Sequence, residues 1–183
     1  MAPSSEIGQA ERHASLFSPG EVRTIAVRRG WLSTDEISDE QQRWMAEAAQ
    51  LLGAQAADTA ALEALLECVF HYDAREALAQ PGNQAVMARE GARHVLRVLA
   101  SLVLDSADVN SDRYKEIVSA LKERTGRRGQ ELFHPVRLAL AGRSGEGEFD
   151  RVILLLDGAA RLSWSMAVKG CRQRIIEFCA AMD

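Results

Sequence analysis

Apolar residues recur at intervals of three and four along most of this 183-residue chain, and the runs are cut short by glycine, proline and capping residues. That period places them on one face of a helix, whereas a strand would need alternation. Trp44, Met45, Ala48, Leu51 and Leu52 follow Ser38 and Gln41, a capping-box pair, and stop at Gly53. Leu62, Leu65, Leu66, Val69 and Phe70 repeat the spacing, with Thr59 read as their cap. Pro81-Gly82-Asn83 reads as a turn, followed by one long helix whose stripe runs from Val86 through Ala92, Val95, Leu96 and Leu99 to Val103. Asn110-Ser111-Asp112 caps the next, where Tyr114, Ile117, Val118 and Leu121 share a face and Gly126 supplies the stop.

Past Gly126 the pattern shortens. Residues 132–140 read as two short helices, residues 149–156 as another stopped by Asp157-Gly158, residues 159–164 as a further piece, and residues 166–182 as a last helix. The expectation is an all-α fold, a helical bundle or cage of about seven to eight helices. Residues 1–34 lack a sustained period and read as a loosely attached arm in which Val22, Ile25 and Val27 form a short extended piece.

Several classes of function find no support. The start Met1-Ala2-Pro3-Ser4-Ser5-Glu6 has neither the basic opening nor the apolar stretch of a secretory signal, and no run reaches the length of a membrane span, so a cytoplasmic location is expected. Cys68, Cys171 and Cys179 lack ligand spacing, and His13, His71, His94 and His134 lie far apart, so neither a metal site nor a cofactor is legible. Cys68 and Cys179 read as small apolar residues on helix faces, and Cys171 as incidental. No nucleophile elbow, phosphate loop, paired-carboxylate cleft or zinc-protease motif is present, and catalytic residues are not expected.

Charge is divided along the chain. Residues 1–112 carry 9 basic and 17 acidic side chains, whereas residues 113–143 carry 8 basic and 3 acidic ones. A basic block inside a protein of net charge -4 can form a local positive face that meets phosphate.

That block contains the most specific motif of the chain, in which Gly126, Gly129, Leu132, Phe133, Pro135, Arg137, Ala139, Leu140 and Gly142 are spaced over residues 126–142. The segment closely resembles the anticodon-binding region of bacterial glutamyl-tRNA synthetases, and weaker similarity extends over roughly residues 35–164. Two positions depart from the family pattern. Ala141 stands where Thr or Ser is common and Val136 where Leu is usual. No counterpart of the synthetases' ATP-handling segments is found, so the resemblance implies a binding module without aminoacylation activity.

The resemblance further implies tRNA of the glutamate type as partner. It divides the chain into the arm at 1–34, a stem-contacting helical subdomain at 35–111, and an anticodon-binding-type subdomain at 112–183 with an extra C-terminal helix. Splayed single-stranded RNA asks for cations and for planar groups that hydrogen-bond and stack, and arginine supplies both. Lys122, Arg124, Arg127 and Arg128, at a helix end and its loop, are therefore the leading RNA-binding candidates, with Arg127 and Arg128 first. Arg137 completes the set, although its place in a short apolar helix suits it better to tying elements together through a carboxylate or carbonyl. A rival reading keeps the helical fold as a scaffold for a protein partner; it requires these cations to be neutralised by Glu123, Glu131 or the acidic half.

Overall fold

A computed structural model describes residues 16–183 of the chain. Ten α-helices follow one another: α1 (Pro19–Arg28), α2 (Asp39–Gly53), α3 (Thr59–Phe70), α4 (Ala74–Ala79), α5 (Pro81–Met87), α6 (Ala92–Leu104), α7 (Ser111–Thr125), α8 (Gln130–Ala141), α9 (Glu148–Ala160) and α10 (Cys171–Met182). No strand occurs among the described residues. The all-α expectation holds, and the count exceeds the expected seven to eight for identifiable reasons.

The short extended piece expected around Val22, Ile25 and Val27 is corrected. Ser18 and Glu21 form a reciprocal capping box and Pro19 occupies the first helical position, so the segment starts a helix instead. Val22, Ile25 and Ala26 are buried, and α1 lies against α2. Its end is fastened to α3, where Arg28 pairs with Glu63 and Arg29 reaches Glu67 at 2.7 Å. Residues 1–15 of the expected arm lie outside the described residues.

The single long helix expected after Pro81 is two. Pro81, at the first position of α5, starts a helix where its missing N–H costs nothing. Gly91, at φ +84°, then breaks the chain before α6. Asp58, not Thr59, caps α3, its carboxylate accepting from the Ala61 N–H at 2.8 Å. The two short helices expected over 132–140 are one continuous helix, α8, which carries Pro135 in its interior and forgoes one backbone bond there.

The stop expected at Asp157-Gly158 does not operate, because α9 runs through both residues to Ala160. Packing explains the glycine. A Cβ on Gly158 would lie 3.3 Å from Cδ1 of Trp44, so the small residue lets the α2 tryptophan close on α9, where its indole N–H donates to the Leu155 carbonyl at 3.1 Å. Asp157 acts elsewhere, its carboxylate accepting from the Val109 N–H and from the Cys171 N–H, each at 2.7 Å. One aspartate therefore joins the α6–α7 connection to the start of α10. Cys171 is fully buried at that start, and burial pushes its thiol well up, as it does less strongly for Cys68 and Cys179.

Buried apolar residues from all ten helices form one continuous cluster. At one place it is aromatic: Trp31 stacks on Phe70 with centroids 4.5 Å apart, and Trp44 and Trp164 meet the same ring edge-on. At another it encloses a cation. Arg174 of α10 is 0% exposed and donates to the carbonyls of Cys68 (2.9 Å), Val69 (2.6 Å), Leu140 (2.9 Å) and Lys169 (2.8 Å). The first three carbonyls belong to the last turns of α3 and α8, where the helix dipoles present partial negative charge. Tyr72 lies 4.6 Å from the guanidinium carbon and donates its hydroxyl to the Ala139 carbonyl at 2.6 Å.

Candidate nucleic-acid interface

The α7–α8 connection is built by its glycines. Gly126 caps α7 at φ +68° with its N–H on the Lys122 carbonyl, and Gly129 opens α8 at φ +54°. Both are left-handed backbone positions that a side chain would strain. Between them Arg127 and Arg128 leave the backbone, while Lys122 and Arg124 stand on the last turn of α7.

The five candidate residues have different surroundings. Arg124 and Arg128 are exposed, and neither side chain has a hydrogen bond or an ion pair with the described residues. Lys122 is half-buried, with its ammonium 5.7 Å from the centre of the Phe133 ring. Arg127 lies down on the protein. Its guanidinium reaches Glu131 at 3.2 Å and Glu90 at 4.0 Å, and it crosses Gly91 so closely that a Cβ there would come within 2.8 Å of Nε. Glu131 and the acidic half thus hold Arg127 and leave Arg124 and Arg128 alone.

Arg137 is the tether its position suggested. Nε and Nη2 bind the two oxygens of Asp150 at 2.9 and 2.8 Å, Nη1 donates to the Gly145 carbonyl at 2.9 Å, and the guanidinium covers Phe133 at 4.9 Å. Burial works against its charge, but the Asp150 bonds more than offset this and raise its pKa. Tyr114 of α7 adds its hydroxyl to Asp150 at 2.7 Å, so α7 and α8 meet on one carboxylate of α9, and Arg137 ties the 143–147 loop to the same cluster. With 10% of its side chain exposed, Arg137 is taken up in holding these elements together.

The structure adds a residue that sequence reasoning missed. Arg89, on the α5–α6 junction, donates from Nη1 to Nδ1 of His134 on α8 at 3.1 Å. A long uninterrupted helix through residues 86–103 hides this junction; Gly91 was the available signal. His134 has its pKa lowered by partial burial and by the Arg89 and Arg137 charges, with Glu146 acting the other way. Elsewhere a cleft of about 460 Å³ is lined by Glu67, His71, Asp73, Glu76 and Arg143, and its carboxylates make it a poor place for phosphate. Among the described residues no three or more His, Cys, Asp or Glu side chains gather where they could hold a metal ion, and no helix is long and apolar enough to cross a membrane.

Comparison with known proteins bears on the use of this geometry. The family model of the anticodon binding domain matches residues 21–156. A glutamate–tRNA ligase 2 of Syntrophus aciditrophicus is 38% identical over 72 residues, which are 39% of this chain and 15% of that protein. A glutamate–tRNA ligase of Geobacillus stearothermophilus is 30% identical over 130 residues, 71% of this chain and 26% of the ligase. That of Bacillus licheniformis is 29% identical over 126 residues, 67% of this chain and 25% of the ligase. No solved structure gives a match. The chain spans at most about a quarter of the length of these relatives, and the part matched is the anticodon-binding domain without the catalytic domain. The chain belongs to the anticodon binding domain family and corresponds to the C-terminal anticodon-binding region of glutamyl-tRNA synthetase.

Proposed function

We propose that this chain is a non-catalytic tRNA-binding module of the cytoplasm whose ligand is a tRNA of the glutamate type. The observation that carries the proposal is the pair of exposed cations Arg124 and Arg128, without partners among the described residues, at a loop turned by Gly126 and Gly129. Unspent arginines at a helix end, where the backbone can approach closely, suit a ribose-phosphate strand. In this reading Arg124, Arg128 and Lys122 face the RNA, Arg127 reaches it by giving up Glu90 or Glu131, and Arg137 holds the loop that receives it. Residues 35–111 then lie toward the stem and residues 112–183 toward the anticodon.

The test titrates the full chain with glutamate tRNA and with an anticodon-altered copy over a range of salt, beside an Arg124→Gln/Arg128→Gln variant. The expected result is salt-sensitive binding that discriminates the two RNAs, with the slope against salt reduced by about two in the variant. Salt-sensitive binding without discrimination would leave a phosphate-binding face that reads no anticodon. Absence of binding at low salt would overturn the proposal and turn the search to a protein partner.

A further inference from the structure

We propose that Arg89 of the α5–α6 junction and His134 of α8 form a second phosphate-contacting element that continues the RNA path beyond the α7–α8 loop. The inference rests on the tRNA-binding reading and extends it to Arg89, outside the basic block.

The hydrogen bond itself defines the chemistry. A guanidinium has only donors, so His134 must accept at Nδ1 and carry its proton on Nε2. The imidazole is therefore neutral and orients Arg89 without cancelling its charge. This is the reverse of Arg127, whose partners Glu131 and Glu90 are both carboxylates. Arg89 is exposed, and no carboxylate among the described residues pairs with it. The junction thus offers the remaining guanidinium N–H groups, and the Nε2–H of His134 supplies a further donor, a set suited to anionic oxygen.

Position connects the two elements. Arg127 lies across Gly91, two residues from Arg89, so the α7–α8 loop and the junction are in direct contact. The nearby acids are accounted for: Glu90 and Glu131 face Arg127, and Glu146 is near His134. A strand passing over Arg124 and Arg128 that reached the junction would meet an oriented, uncompensated arginine. A phosphate contact of this kind adds affinity without reading sequence.

The test compares the wild-type chain with Arg89→Gln and His134→Phe in binding to glutamate tRNA and to the anticodon-altered copy over the same range of salt. Arg89→Gln is expected to weaken both RNAs by the same factor, about tenfold at low salt, to lower the salt slope by about one, and to leave the melting temperature unchanged. His134→Phe is expected to weaken binding less while keeping the slope, because it loosens the arginine without removing its charge. Wild-type affinity and slope in Arg89→Gln, with Arg124→Gln/Arg128→Gln still impaired, would overturn this inference and spare the tRNA reading. Failure of the wild-type chain to bind would overturn both.

Discussion

Arg174 and the cations of the α7–α8 loop both stand at helix C-termini, and their conditions are opposite. Arg174 sits where α3 and α8 end, wholly enclosed, with its donors on backbone carbonyls. Lys122, Arg124 and Arg128 stand where α7 ends, and the two arginines have no partner among the described residues. Each group meets the same partial negative charge of a helix end. Burial separates their roles. Around Arg174 the low dielectric makes every donor and every carbonyl costly to leave unpaired, so the charge is consumed in holding the fold. Around Arg124 and Arg128 water screens the helix end, and the charge stays available to a ligand.

Breaking the enclosed group should give the largest effect. Arg174→Leu leaves several buried carbonyls without donors and is expected to lose about 3–5 kcal/mol of stability in urea denaturation. Burial pushes the Arg174 guanidinium down to about 10, so it stays charged at neutral pH, and Arg174→Lys should recover part of the loss but not the forked geometry. A loss under about 1 kcal/mol for Arg174→Leu would show that the carbonyls find other donors.

Gly91→Ala should have an intermediate effect on the open side of the comparison. The glycine is at φ +84° and a Cβ would meet the Arg127 guanidinium, so about 1–2 kcal/mol is expected to be lost. Because Arg127 must then lift away, tRNA affinity should change along with stability. A change in stability alone would make this contact part of the scaffold.

The smallest effect is a titration. His134 should titrate by NMR below its ordinary value of 6.5, and Arg89→Gln should move it back upward. Its folded pKa is the lowered one, so the unfolded chain binds more protons in the window between that pKa and 6.5. The contribution to stability is therefore complete above 6.5 and declines as pH falls through that window. An unshifted His134 would show that the Arg89 charge does not stand beside the imidazole.

Much of the fold is legible in the sequence. Ser38 and Gln41 cap α2 as their spacing says, and Gly126 stops α7, since both rest on chemistry confined to one helical turn. Pro81 and Gly158 mislead because their meaning depends on context: the first starts a helix, and the second makes room for Trp44. The loop cations are found from the basic block together with the family resemblance that covers it. Their division into Arg127, held by Glu131 and by Glu90 some forty residues away in the chain, and Arg124 and Arg128, left open, depends on how the side chains lie in the fold. Arg174 gives no signal, because a polar residue in an amphipathic helix reads as solvent-facing until two other helices are seen to end against it.

Asp157 is the first residue beyond the stretch matched by the family model, which closes at residue 156, inside α9. The carboxylate that fastens the α6–α7 connection to α10, and the arginine that α10 delivers to the centre, both lie past that limit. The stretch matched by the family model and the packed core therefore have different edges here. A graft of residues 21–156 into another protein would carry the recognisable motif and leave behind Asp157 and Arg174, whereas a graft reaching Met182 would carry the motif together with both of these fastenings.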